Sequence, residues 1–361
     1  MHRLLTTLAL ALTLALPAAT ASAAQPCPEL PQPDRWESPA TPDSGRPDIV
    51  TAAHRGAAEL APENTLDAYR YAIAYGVDLI EVDVQQTLDG RYVSFHDPEV
   101  DAKTDGTGRI GLMSYEQARA LNVAANDKWS GTEYDPARMP SLEEVLALAD
   151  QTGVGIYVDM KESVTDVAGM MRVFAAYPEV SARSAFLPYE PGRAALITAV
   201  APQAELMWSN LDPRFPASSL YALGQRYTWF GSDLETYDAG KVAAVHDACG
   251  LVIPNVYDGA KADVEAANLA AARAMGADGA QINLPDVTAD ALDEPVATRI
   301  ERPAGEACLV DAEHGIGLPR KPLLVGKMRL VTDRDGCVPV TMRKGRVRFA
   351  GDGSALPSSA T

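Results

Sequence analysis

The chain has 361 residues, 47% of them hydrophobic, with 49 acidic side chains against 31 basic ones. That length and apolar content allow a sizeable core, as one large α/β barrel or two smaller domains, and exclude wholesale disorder. A net charge of -18 repels phosphate polyanions, which excludes a general affinity for nucleic acid or for an anionic membrane surface.

The first element in chain order is a leader. His2 and Arg3 precede a Leu/Ala run to about Ala19, and Ala21-Ser22-Ala23 has the form of an A-x-A cleavage site. Residues 1–23 are therefore predicted to be a cleaved secretory signal peptide, too short and too rich in small residues at its end to span a bilayer. This predicts a secreted or periplasmic protein without stable membrane insertion. Residues 24–46, rich in Pro, Ser and Asp, read as a linker or extended arm. Export permits disulfides. Cys27, Cys249, Cys308 and Cys337 lack the close spacing of a zinc site, and Cys308–Cys337 is the favoured pair because both lie in one C-terminal segment.

From residue 47 to about 289, apolar runs alternate with helical patterns, the mark of a parallel α/β sheet or barrel. The candidate strands are Ile49–Ala53, Leu79–Val84, Gly155–Met160, Ser184–Tyr189, Glu205–Ser209, Tyr227–Ser232, Leu251–Val256 and Gly279–Asn283. Eight such strands favour a closed (β/α)8 TIM barrel. Helical patterns between them include Asn64–Tyr75, Ser141–Gln151, Ala239–Cys249 and Val264–Met275. Asn64 is expected to cap the first of these, and Gly76 to follow its last turn.

A further extended run, Tyr92–Phe95, lies too close to the second strand for a parallel crossover, which needs a dozen or more residues. It must fold back as an antiparallel hairpin through the turn at Asp89-Gly90. The hairpin returns His96 toward Glu81 and Asp83, and a small insertion follows it. Residues 290–361 hold 11 Lys+Arg and 10 Asp+Glu and several β-forming runs: Leu323–Val325, Arg329–Val331, Val338–Met342 and Arg346–Phe349. They are predicted to form a β-rich extension with a flexible tail.

The chemistry lies between His54 and Lys161. The first strand ends in Ala53-His54-Arg55-Gly56, followed by Ala61-Pro62-Glu63-Asn64-Thr65. Glu81-Val82-Asp83 places two carboxylates on one strand face, and Asp159-Met160-Lys161 places an acid and a base two residues apart on the third strand. Ionisable groups on the inward face of an apolar strand are costly unless they pair or bind an ion. Here they gather at the C-terminal ends of successive strands, where barrel enzymes keep their sites.

The ordered series H-R-G, P-E-N-T, E-x-D, T-x-D-G and H-D, with Pro140-Ser141-Leu142-Glu143-Glu144 after it, resembles the glycerophosphodiester phosphodiesterases. The resemblance is strong over about residues 50–165 and continues weakly to Gly276-Ala277-Asp278-Gly279. It implies a barrel that cuts glycerophosphodiesters to glycerol 3-phosphate and an alcohol with one divalent cation, Ca2+ ahead of Mg2+. Carried over by motif, Glu81, Asp83 and Asp159 would ligate the cation, and their hard oxygen donors suit those ions better than zinc. His54 and His96 would be the acid–base pair, with either in either role, because imidazole exchanges protons near neutral pH. Arg55 and Lys161 would hold the phosphate oxygens, and Gly56 would let the backbone approach the phosphate. Direct attack by water and a cyclic phosphate formed by the glycerol hydroxyl are both compatible with this set.

Two departures from the family pattern bear on the site. Asp159 stands where the family usually has Glu. Ile253-Pro254-Asn255-Val256-Tyr257 and Ile282-Asn283-Leu284-Pro285 replace a Trp-Thr-x-Asn run and a Thr-Asp pair that line the mouth.

Several residues carry a plainer reading beside the functional one. Glu63 either supports the cation from behind or favours the start of the first helix. Asn64 is either a supporting residue or only the cap. Trp129 packs the insertion onto the barrel or stacks on a head group, and Asp89 and Asp97 serve turns. His246 and His314 are ordinary packed or exposed histidines. Glu81 and Asp83 could form inert ion pairs with Arg55 and Lys161, which leaves two converging histidines without a purpose. The substrate implied is a small glycerophosphodiester or an envelope glycerophosphate polymer. One alternative is a phospholipase D-like or sphingomyelinase D-like enzyme, which needs an apolar rim. Another is an inactive barrel that binds the cell envelope.

Overall fold

The computed structural model describes residues 49–209, 227–292, 296–303, 306–325, 328–340 and 347–349. The expected signal peptide and linker lie outside them. Nine strands form the first sheet: β1 (Val50–Ala53), β2 (Leu79–Gln86), β3 (Tyr92–Ser94), β4 (Gly155–Met160), β5 (Ser184–Leu187), β6 (Glu205–Ser209), β7 (Trp229–Asp233), β8 (Leu251–Asn255) and β9 (Gly279–Ile282). All but β3 are parallel to their neighbours, and β1 pairs with both β2 and β9, so eight strands close into a barrel. Each lies within two residues of a predicted boundary.

The third member of the sheet, β3, is the antiparallel return of the predicted hairpin, with Val84 opposite Ser94 and Gln86 opposite Tyr92. It can join because β2 is longer than β1. The N-terminal part of the β2 edge pairs with β1 at Leu79 and Ile80, and its C-terminal part is left for β3.

Alternation along each strand divides the core into two layers. One alternate set fills the barrel interior with side chains that include Ala52, Leu79, Tyr157, Leu187, Trp229 and Ile253. The other set, with Ile80, Val82, Val158 and Phe230 among its members, packs outward against the helices. Each such fully buried large side chain contributes about 1.5–3 kcal/mol relative to exposure.

The helix Leu66–Ala74 begins one residue later than its pattern suggested. Its N-cap is Thr65, whose hydroxyl accepts the Ala68 N–H, and not Asn64. Asn64 has φ +57, which takes it out of the helix and turns its side chain to other partners. Gly76 does follow the last turn, with φ +78. Ser141 caps Leu142–Thr152 with a full capping box to Glu144. Among the described residues no helix is long and apolar enough to cross a membrane.

The C-terminal segment builds two three-stranded antiparallel sheets. Its strands are β10 (Thr298–Glu301), β11 (Glu306–Asp311), β12 (Pro322–Val325), β13 (Met328–Val331), β14 (Cys337–Pro339) and β15 (Val347–Phe349). The first two were not anticipated: β10 holds a single apolar residue, Ile300, and the apolar run of β11, Ala307–Val310, is short and does not alternate. The run expected to Met342 leaves the described residues after Val340. Cys308 and Cys337 face each other across the β11–β14 ladder and form a disulfide, and Cys249 is also disulfide-bonded. The extension packs against the first barrel helix through Ala74 and Tyr75. Arg334 pairs with Asp67 at 3.0 Å, and Arg320 lies 5.0 Å from the Trp129 ring centroid.

Candidate active site

The site continues the interior alternation past the strand ends. On β1 the inward series Val50, Ala52 runs on to His54, whose N–H still donates to the Ile282 carbonyl at 2.8 Å. On β2 the series is Leu79, Glu81, Asp83, Gln85, and on β4 it is Tyr157, Asp159, Lys161. These two strands are in register with Asp83 opposite Asp159. The same parity brings Asn255 and Tyr257 up from β8, and Gln281 and Asn283 up from β9.

Glu81, Asp83 and Asp159 are 2%, 1% and 8% exposed, and one oxygen from each lies within 4.8 Å of the others. Their partners are close. Lys161 Nζ is 2.6 Å from Asp83 Oδ1 and 2.9 Å from Asp159 Oδ2. The Arg55 backbone N–H donates to Glu81 at 2.7 Å, and Arg55 Nε lies 3.5 Å from Asp83 Oδ2. Tyr189 donates its hydroxyl to Asp159 Oδ2 at 3.0 Å. Asp159 Oδ1 is buried and without a hydrogen-bond partner.

The ion pairs considered in the sequence therefore exist, but two cations face three carboxylates. Burial would raise Asp83, yet Lys161 and Arg55 overcome it and hold its pKa down at about 2. Glu81 is pushed well up by burial and then by Asp83 and Asp159, and Asp159 is pushed up by burial and Asp83. Surplus buried negative charge, an orphaned carboxylate oxygen and hard donors only are what an oxygen-seeking divalent cation requires.

Both histidines are held by Nδ1. His54 Nδ1 is 2.9 Å from Asn283 Oδ1, and Asn283 Nδ2 donates to the Gly259 carbonyl at 3.2 Å. The second bond fixes which end of the amide faces the ring, so His54 Nδ1 is the donor. The His54 ring stacks on Tyr257, with centroids 4.4 Å apart and planes 5° from parallel. Burial, and then the neighbouring Arg55, lower its pKa to about 4. His96 Nδ1 is 2.7 Å from Asp97 Oδ1. Gln85 Nε2 donates to the carbonyls of His96 and Asp97 at 3.2 and 2.8 Å, which ties the hairpin return to β2.

The remaining site residues surround this centre. Glu63 accepts from Arg55 Nη1 at 3.0 and 3.2 Å and also pairs with Lys103 from the insertion, so it steadies Arg55. Asn64 donates to Asp83 Oδ2 at 2.6 Å and accepts the hydroxyls of Tyr69 and Ser94 at 2.8 and 2.9 Å. It is a neutral brace behind the carboxylates. Gly56 is required on a different side from the one expected: a Cβ there would lie 2.7 Å from the Ala68 backbone, and its φ is +79. Close packing on the first helix explains that glycine.

Of the five non-glycine residues with positive φ among those described, Arg55, Asn64 and Tyr189 belong to this site. Such conformations cost of order 1–3 kcal/mol and persist where the surroundings over-determine them.

Several residues lie elsewhere. Trp129 is 2% exposed and packs edge-on against Tyr134 at 5.1 Å, which supports the insertion. Asp89 serves its turn, accepting from Thr87 and from the Tyr115 N–H. Asp97 departs from its expected turn role by pairing with His96. His246 is bound to Asp278 at 2.8 Å, and His314 lies on the extension, 3.1 Å from the Thr152 carbonyl. A second cluster, Glu306 with Cys308 and Cys337, is closed to metal by the disulfide. Gln85, Asp97 and Tyr189 went unnoticed as site residues, and Tyr257 and Asn283 stood only in the two runs that depart from the family pattern at the mouth, with no role given to either. Four of these five continue the inward parity of their strands, a signal the sequence contains.

Comparison with known proteins agrees with this architecture. The sequence matches the glycerophosphoryl diester phosphodiesterase family over residues 54–275. Glycerophosphodiester phosphodiesterase 1 of Mus musculus is 35% identical over 144 residues, 39% of this chain and 43% of that protein. A probable glycerophosphodiester phosphodiesterase 1 of Mycobacterium tuberculosis is 36% identical over 126 residues, 34% of this chain and 45% of that one. The chain thus aligns with less than half the length of these relatives.

Among solved structures, a glycerophosphodiester phosphodiesterase of Agrobacterium tumefaciens superposes with a TM-score of 0.57 at 24% identity, covering 67% of this chain and 99% of that one. An Oleispira antarctica phosphodiesterase, solved with its product sn-glycerol-3-phosphate, gives 0.59 at 22% identity, covering 69% and 97%. These two share the barrel. A match spanning both histidines, the three carboxylates and Lys161, on a barrel that sets them at one mouth, makes this chain a member of the glycerophosphoryl diester phosphodiesterase family.

Proposed function

We propose that the chain is a divalent-cation-dependent phosphodiesterase that hydrolyses glycerophosphodiesters to glycerol 3-phosphate and an alcohol. The observation that carries this reading is two histidines, each anchored at Nδ1, at the mouth that holds a buried three-carboxylate cluster with Arg55 and Lys161. Glu81, Asp83 and Asp159 would hold the cation, and the orphaned Asp159 Oδ1 supports that fit. When bound, a cation of the Ca2+ or Mg2+ class neutralises phosphate charge and polarises the phosphoryl oxygen.

The protein's own groups divide the rest of the work. Arg55 and Lys161 draw the substrate anion into a chain of charge -18 and stabilise the charge that builds on its oxygens. Neutral His54, with its proton on Nδ1, offers the Nε2 lone pair and fits the proton acceptor. His96 fits the donor to the departing oxygen. Export through the leader at residues 1–23 belongs to the same reading, and the disulfides at Cys308–Cys337 and Cys249 support an oxidising compartment.

The test is a substrate panel, with glycerophosphocholine, glycerophosphoethanolamine and a glycerophosphate polymer, read out as glycerol 3-phosphate. Product from at least one is expected. Silence on every glycerophosphodiester in the presence of Ca2+ and Mg2+ sinks the substrate class.

A further inference from the structure

Glu265 is a buried carboxylate that the proposed chemistry does not use. It lies in the first turn of the helix Ala262–Met275 and is 0% exposed. A carboxylate in that position is costly unless hydrogen bonds replace its water. Here Oε2 accepts the Asn283 N–H at 2.9 Å, and Oε1 accepts the Leu284 N–H at 2.9 Å and the Thr288 hydroxyl at 3.3 Å. All three donors belong to the segment that leaves β9.

That segment needs an anchor. The ladder between β1 and β9 ends with the His54 N–H on the Ile282 carbonyl, one residue before Asn283. Beyond it, two consecutive backbone N–H groups are bound by one charged acceptor, the stronger class of hydrogen bond. One helical turn along, Asn268 Nδ2 donates to the Val256 carbonyl at 2.9 Å, immediately before Tyr257. A single helix therefore grips both loops whose side chains touch His54, one at Nδ1 and one on the ring face.

We propose that Glu265 is a positioning residue for His54: it fixes the backbone at Asn283 so that the amide oxygen meets Nδ1, locks the Nδ1–H tautomer and leaves Nε2 free. A neutral amide at 283 sets the tautomer without adding charge, and it does so only while its backbone is held within hydrogen-bond distance of the ring. The catalytic consequence rests on the proposed phosphodiesterase activity, whereas the tautomer does not.

The experiment uses the full chain in two readouts. In long-range proton–nitrogen spectra of the 15N-labelled protein, with the His54 signals assigned from His54→Gln, wild type is expected to carry its ring proton on Nδ1 alone. Glu265→Gln is expected to give a mixture of the two tautomers, with the signals of His96, His246 and His314 unmoved. In the glycerophosphocholine assay with Ca2+, Glu265→Gln and Asn283→Ala should each lower kcat about 10–100-fold with KM within about twofold. The double variant should be no worse than Asn283→Ala, because the two act in series.

An unchanged His54 tautomer in Glu265→Gln overturns the proposal, and so do losses that multiply in the double variant. If wild type hydrolyses nothing, the functional reading fails and the ring spectra alone decide this one. Should Glu265→Gln not fold, Glu265→Asp, which withdraws the charge by one methylene, serves with the same expectations.

Discussion

Replacing Lys161 with Met isolates the electrostatic problem at the centre of the site. Lys161 is 2.6 Å from Asp83 and 2.9 Å from Asp159, and its side chain is 16% accessible. Removing one partner of a buried ion pair typically costs about 3–5 kcal/mol, because the other charge is left stranded. The low end applies here, since Asp83 keeps Asn64 at 2.6 Å and Arg55 at 3.5 Å. A loss of about 3 kcal/mol should lower Tm by roughly 6–12 °C in a domain of this size.

The assay is thermal unfolding at neutral pH in EDTA and again in Ca2+. A bound cation replaces the missing ammonium and meets no competitor for Asp83 and Asp159, so Ca2+ should raise Tm more in the variant than in wild type. At 100 times its dissociation constant it returns about 2.7 kcal/mol. Hydrolysis should stay depressed even with Ca2+, by about 100-fold or more, if Lys161 holds the phosphate oxygens as proposed. A variant that melts within a degree of wild type in EDTA, or that gains less from Ca2+ than wild type does, refutes the reasoning.

Two further perturbations test separate parts of the account. Asn64→Ala strands the acceptor and donors of Asp83, Tyr69 and Ser94 and should cost about 1–3 kcal/mol in urea unfolding. A helix-cap role alone would cost nothing there, because Thr65 already caps. On the extension, Asp311 holds the His314 pKa above its usual value, and burial does not cancel the effect of His314 and two backbone N–H groups in lowering Asp311. The His314 contribution is therefore complete below about pH 6.5 and lost as pH rises through its raised value, while that of Asp311 is present above about pH 3.9 and lost on acidification through its lowered value. The Tm advantage of wild type over His314→Gln should shrink from pH 6 to pH 9 in calorimetry, and a constant difference contradicts the pairing.

The barrel was legible because its strands are short apolar runs that alternate with helical patterns, and because the Asp89-Gly90 turn leaves Tyr92 only one way to go. The carboxylates, His54 and Lys161 continue the inward parity of strands whose deeper inward residues are apolar, whereas Arg55 was singled out by the ordered motifs and His96 by the motifs and the hairpin return. What stayed hidden is tertiary. Asn64 precedes a helix and carries a capping side chain, yet Thr65 wins the cap and frees Asn64 for Asp83. Gly56 directly follows Arg55, but the collision that forbids a side chain comes from Ala68 on a helix behind it. Asn283 and Tyr257 stand in the two runs that depart from the family pattern at the mouth, but their contact with His54, across more than 200 residues of sequence, is foreshadowed only by the parity of β8 and β9. Glu265 reads as an ordinary helix-start acid until the strand that ends at Ile282 is placed against it.

Cation-assisted hydrolysis by the two histidines is the proposed activity. Its most direct measurement is glycerol 3-phosphate release from glycerophosphocholine by wild type and His96→Gln, first in EDTA and then with Ca2+ or Mg2+ restored. Chelation is expected to abolish wild-type release, one of the two ions to restore it, and His96→Gln to be slower by about 100- to 10,000-fold with the ion present. Release that ignores EDTA, or a His96→Gln protein as fast as wild type, contradicts it.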